Sequence, residues 1–148
     1  MNSIAILGAG TWGMALAKML KNTNKNVTVW SALPDEIEEL SKTSRHPKLP
    51  NVLIPKGIEY TTDIKLAVEN KDIIMFAVPS VFVRQTARKC KDYIKDNQII
   101  VDVAKGIEPD TLFTLTQVID DEIKNKTVKY VALSGPTHAE EVSRDMPT

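Results

Sequence analysis

Ile4 to Leu7 is a short, continuous apolar run, and Gly8, Gly10 and Gly13 follow it in the spacing G-x-G-x-x-G. From Thr11 to Lys21, the residues Trp12, Met14, Ala15, Met19 and Leu20 then recur at helical intervals. An apolar run without alternation suits a strand covered on both faces, as in a parallel sheet. A tight glycine turn between such a strand and a helix is the structure that receives a dinucleotide pyrophosphate. Gly8 would permit the turn. Gly10 would let the backbone approach the pyrophosphate at the helix N-terminus, and Gly13 would allow the helix to pack closely on the strand. The glycine spacing alone is a weak signal; its place between strand and helix makes it a fingerprint. The plainer alternative is a glycine-rich turn with no ligand.

The rest of the chain continues the alternation. Val27 to Trp30 is a second β-rich run. "PDEIEELSK" reads as a helix opened by Pro34, with Asp35 and Glu36 in the first turn, where the helix dipole favours anions. "RHPKLPNVLIPKG" carries three prolines and reads as a loop. Ile58 to Thr61 reads as a short strand, "DIKLAVEN" as a short helix and Asp72 to Val78 as a buried strand. "PSVFVRQTARKCKDY" reads as a helix with Ser80 as its N-cap. Gln98 to Val103 is another strand, "DTLFTLTQVIDDEI" an amphipathic helix and Val128 to Ser134 a further strand. The pattern predicts an α/β fold of the Rossmann type: a doubly wound, mainly parallel sheet with helices on both faces and right-handed crossovers. The length of 148 residues suits one such domain, residues 1–148.

Composition narrows the partners. Formal net charge is zero and no long Lys/Arg run occurs, which argues against nucleic acid. No apolar run is long enough to span a bilayer, so no membrane insertion is expected. The N-terminus is already a strand rather than a signal sequence. The single cysteine, Cys90, falls on the apolar side of a predicted helix and reads as core, and a reducing cytoplasm is the simple location.

The adenosine end of the expected site is less defined. A site specific for the unphosphorylated cofactor places Asp or Glu about 20 residues past the glycine turn, on the ribose 2′-hydroxyl. Here the second strand ends in Trp30-Ser31-Ala32, with neither an acid nor an Arg. Lys48, in the following loop, reads either as a group that reaches round to the cofactor or as a solvated loop lysine. NAD and NADP both stay open, with weak discrimination expected between them.

Ligands of an open α/β sheet bind outside the carboxyl ends of its strands. Three further loops leave such ends: "VPSVF", "VAKGIE" and "LSGPTHAEEV". Lys105, followed by Gly106, stands where an ammonium can stabilise the negative charge that builds on a ketone oxygen during hydride reduction. Thr137-His138-Ala139-Glu140 reads as a capping box in which Thr137 starts a helix. His138 and His46 are assigned no chemistry.

Together, "GAGTWGMALA", the V-P and K-G pairs, and "LSGPTHAEEV" resemble NAD(P)-dependent glycerol-3-phosphate dehydrogenase of the bacterial type, in order and at family spacing over essentially the whole chain. The resemblance implies hydride transfer between NAD(P)H and dihydroxyacetone phosphate, giving glycerol 3-phosphate for phospholipid synthesis. It implies that Thr11 and Trp12 line the cofactor beside the three glycines, with Ser31, Ala32 and Lys48 at its adenosine end. Lys105 would touch both cofactor and substrate, Gly135 and Thr137 would hold the substrate, and Ala139 would lie against the cofactor. Members often carry Arg or His where Ala32 stands, and Tyr near Lys48. No metal is implied, and a homodimer of the full-length enzyme stays open. The family's general acid/base lysine and most of its phosphate site lie on a helical C-terminal domain. The chain is therefore expected to be the cofactor-binding domain of a longer enzyme, inactive alone, with an apolar patch near the sixth strand. Another two-domain dehydrogenase and a stand-alone, non-catalytic dinucleotide-sensing module are the alternatives.

Overall fold

The structure, a computed structural model, describes residues 2–124 and 126–148. Six strands form one sheet: β1 (Ser3–Leu7), β2 (Asn26–Trp30), β3 (Glu59–Thr61), β4 (Ile73–Phe76), β5 (Ile99–Asp102) and β6 (Lys129–Ala132). Their order is β3-β2-β1-β4-β5-β6, and every neighbouring pair is parallel. The helices are α1 (Thr11–Asn22), α2 (Pro34–Thr43), α3 (Ile64–Val68), α4 (Val83–Cys90), α5 (Leu115–Ile123) and α6 (Ala139–Ser143), with a one-turn 3₁₀ helix at Ser80–Phe82. This is the expected Rossmann architecture. The chain winds outward from β1 to β3, then returns to β4 on the other side of β1. The strand order reverses there, which opens a crevice at the carboxyl ends of β1 and β4.

The unbroken apolar run of β1 has a direct cause. Ala5 and Leu7 join one buried cluster with Ile74, Phe76, Ala87 and Ile119. Ile4 and Ile6 join a second with Met14, Leu16, Val29 and Leu40. Successive side chains of a strand point to opposite faces, so a sheet covered on both faces needs apolar residues at every position. Cys90 belongs to the first cluster, and burial pushes its thiol up to about 12. The proline-rich segment after α2 contains little regular structure, yet Leu49, Val52 and Ile54 are buried in the second cluster. Ser44 ends α2 in the left-handed conformation, and its carbonyl accepts from Ile54 N at 2.9 Å, which ties the segment back on itself. At the far edge, β6 pairs with β5 alone among the described residues, and Val131 and Leu133 are 45% and 47% exposed.

Three helix starts differ from the sequence reading. Pro79 leads into the 3₁₀ turn, so α4 begins at Val83; the Ser80 side chain caps neither. α6 begins at Ala139 with His138 in the N-cap position, one residue too late for Thr137 to cap it, and the anticipated box does not form. A capping box does form at α5, where Thr114 Oγ1 accepts from Gln117 N at 3.3 Å and Thr114 N donates to Gln117 Oε1 at 2.9 Å. The helix read from Asp110 accordingly starts at Leu115. The preceding residues fold back, with Leu112 at φ 59° and a bridge between Ile107 and Thr114.

Candidate functional site

A cleft of about 750 Å³ lies across the reversal of strand order. Its walls come from the glycine turn after β1, the end of β2, and the loops after β4 and β5, with Thr137 to Ala139 closing one side. Gly8, at φ +122°, passes so near the loop after β4 that a Cβ would sit 2.7 Å from the Ala77 carbonyl oxygen. A Cβ on Gly13 would sit 2.1 Å from the Gly8 oxygen, so Gly13 serves the packing of α1 and does not border the cleft. At Gly10 a Cβ would meet nothing within 4 Å. Gly10 is also the N-cap of the twelve-residue α1 and offers its first-turn amides no side-chain acceptor. Thr11 and Trp12 line the space beside it. Open room at Gly10 and a helix N-terminus without a side-chain cap suit a pyrophosphate, so the residues present fit a dinucleotide.

At the end of β2, Ser31 is buried. Its Oγ accepts from Leu33 N at 3.1 Å and donates to Glu36 Oε2 at 2.5 Å. Ala32 and Glu36 both border the cleft. Glu36 is thus an acid delivered to the strand's end by the first turn of α2. The sequence placed it in that turn but not in the cleft wall, because its position depends on Ser31. Lys89 of α4 also borders the cleft, with Nζ 5.7 Å from the centre of the Trp30 ring. Lys48 is exposed and does not border the cleft; its amide donates to His46 Nδ1 at 3.1 Å.

Lys105 gathers the opposite end. Its Nζ donates to the carbonyls of Gly135 at 3.2 Å and Thr137 at 3.4 Å, joining the loops after β5 and β6. Gly106, at φ +122°, allows the chain to turn immediately after it. Gly135 meets the site through its carbonyl rather than as a wall, while Thr137, His138 and Ala139 border the cleft. Two carboxylates fix this loop. Asp102, buried at the end of β5, accepts from Ala104 N at 3.0 Å, and burial pushes its carboxyl above the ordinary range against the pull of its hydrogen bonds. Glu108 is held by Arg84 through two bonds of 2.7 Å. Arg84 also donates to Asp121 at 2.8 Å and Glu122 at 2.9 Å. Hydrogen bonds from Arg84, then Thr111, draw the Glu108 carboxyl down to about 2.

Residues 3–148 match the family described as NAD-dependent glycerol-3-phosphate dehydrogenase N-terminus. The chain is 61% identical, along its full length, to glycerol-3-phosphate dehydrogenase (NAD(P)+) 2 of Lactobacillus delbrueckii subsp. bulgaricus, and spans 45% of that protein. It is 49% identical to the glycerol-3-phosphate dehydrogenase (NAD(P)+) of Fusobacterium nucleatum, covering 44% of it. The crystal structure of glycerol-3-phosphate dehydrogenase from Coxiella burnetii superimposes on 99% of the chain with a TM-score of 0.90 at 31% identity, using 45% of the larger chain. The chain thus spans about half the length of the relatives it matches.

Proposed function

This chain belongs to the NAD-dependent glycerol-3-phosphate dehydrogenase family, and from that membership we propose that it forms the dinucleotide-binding part of an enzyme interconverting dihydroxyacetone phosphate and glycerol 3-phosphate in the cytoplasm. The observation that carries the reading is the continuity of one cleft from the uncapped N-terminus of α1 to Lys105. Gly8, Gly10, Thr11 and Trp12 would hold the pyrophosphate end, with Ser31 and Ala32 beside the adenosine. A nicotinamide cofactor bound there supplies the hydride that reduces a ketone.

Lys105 does the charge work of the chain. Two carbonyl acceptors hold its ammonium, leaving a third N–H for a ligand. A carbonyl oxygen that gains negative charge beside that N–H is stabilised by a donor already in position. Thr137 and Ala139 border the same space and would orient the substrate and the cofactor respectively. The proton that completes the reduction, and the full grip on the substrate phosphate, are assigned to the remainder of the longer enzyme.

Titrating NADH into the chain, and following NADH absorbance with dihydroxyacetone phosphate on the same sample, tests this reading. Binding without turnover is expected, because positioning supplies much of catalysis and half of the positioning groups would be missing. Failure to bind any dinucleotide would overturn it. In the longer enzyme, Lys105→Ala should lower turnover by roughly 10²–10³, by analogy with the loss of one oxyanion donor, with little change in stability.

A further inference from the structure

We propose that Glu36 reads the ribose 2′ position and biases this site toward NADH over NADPH. The inference rests on the dinucleotide reading above and assigns its cofactor choice. In a fold of this kind the adenosine ribose lies beside the end of the second strand, here Trp30 followed by Ser31-Ala32. No acid stands within that tripeptide. The next helix supplies one: Glu36 borders the cleft, with its carboxylate 2.5 Å from Ser31 Oγ.

The contact that holds the carboxylate there is itself braced. Ser31 is 5% exposed and its hydroxyl oxygen is engaged by the Leu33 amide, so the group that holds Glu36 is itself fixed. Pro34 at the start of α2 restricts the backbone that carries Glu36. One carboxylate oxygen is bonded to Ser31. A carboxylate has lone pairs to spare for the hydroxyls of an unphosphorylated ribose. A 2′-phosphate removes the donor and places a second anion against the first, a repulsion strengthened by partial burial.

The cations nearby do not reverse this. Ala32 contributes a methyl group where a guanidinium would be needed for a bidentate phosphate contact. Lys48 lies outside the cleft walls. Lys89 borders the cleft but is stationed over the Trp30 ring, and Lys105 is bonded to the loop after β6, beyond the glycine turn. Glu36 is the charged group in contact with Ser31.

Calorimetric titration of the chain with NADH and with NADPH tests the assignment without any variant. NADH should bind at least about ten-fold more tightly, the factor that corresponds to about 1.4 kcal/mol. Glu36→Gln keeps an acceptor for Ser31 while removing the charge, and should narrow the ratio by about ten-fold, mainly by tightening NADPH. Equal affinities in the wild-type chain, a preference for NADPH, or an unchanged ratio in Glu36→Gln would overturn the assignment. If neither dinucleotide binds, the proposed function itself falls and takes this assignment with it.

Discussion

At Gly10 an added side chain meets only open space, whereas at Gly13 it meets the backbone of Gly8. The two glycines are thus required for different reasons, and single substitutions separate them. Gly10→Val should leave the melting temperature nearly unchanged and abolish NADH binding, read by denaturation and titration of the same protein. Gly13→Ala gains about 1 kcal/mol of helix propensity. It loses about 3 kcal/mol to the clash of its Cβ with a backbone that cannot yield cheaply. The net loss of about 2 kcal/mol should appear in chemical denaturation. The packing role of Gly13 was legible in the sequence, because the glycine spacing fixes it relative to one strand and one helix. Glu36 was not legible as an acid of the cleft wall. Its place depends on the exact start of α2 and on the buried hydroxyl of Ser31, and neither leaves a mark in periodicity.

Strands and long helices were read from periodicity, and their caps were not. Thr137 precedes Glu140 by the spacing of a capping box, yet the box formed instead at Thr114 and Gln117. That spacing is a local signal, and tertiary contacts decide whether a helix begins on it; Lys105 holds the Thr137 carbonyl in the cleft wall. The contact between α4 and α5 was also invisible, because it joins Arg84 and Arg88 to Glu108, Asp121 and Glu122 far along the chain. It makes a pH prediction. In the folded chain the Glu108 carboxyl lies near 2, below its ordinary 4.5, and those of Asp121 and Glu122 are also lowered by their arginine partners. A lowered folded pKa contributes stability that is complete above the unfolded value and is lost as pH falls toward the folded one. Thermal melts of the wild-type chain should therefore drop through the range from about 4.5 to 2. In Arg84→Met the melting temperature should start a few degrees lower at neutral pH and fall less steeply across that range. Parallel acid branches in the two proteins would show that the cluster contributes nothing to folding. The Arg84–Glu108 bonds also anchor the loop that carries Lys105.

For the molecule as a whole, the alternation of strands and helices made the parallel sheet legible, while the strand order, with β1 beside both β2 and β4, came from the structure. The burial of Leu49, Val52 and Ile54 was not legible, since three prolines in their segment hide any period. Because the cleft walls come from β1, β2, β4 and β5 together, the ligand site exists only in the folded state. NADH at about 100 times its dissociation constant should then stabilise the chain by about 2.7 kcal/mol. For a domain of this size that raises the melting temperature by about 5–10 °C. Gly10→Val should show no such rise. A shift that survives in that variant would put the nucleotide elsewhere.

The central place of β1 has a consequence for synthesis. Of the six strands described it is the first to be translated, and it pairs on both sides: with β2, and with β4 through Ile4 and Ile73. The half made of β1, β2 and β3 can assemble as it emerges, because its crossovers are local. Throughout that interval one edge of its most apolar strand faces no partner, since β4 has not yet been made. An open, apolar edge is a template for pairing with other chains. The nascent chain therefore passes through a window that opens once β3 has been translated and closes when β4 clears the exit tunnel. The pace of translation across the residues of α3, just ahead of β4, sets how long that window lasts.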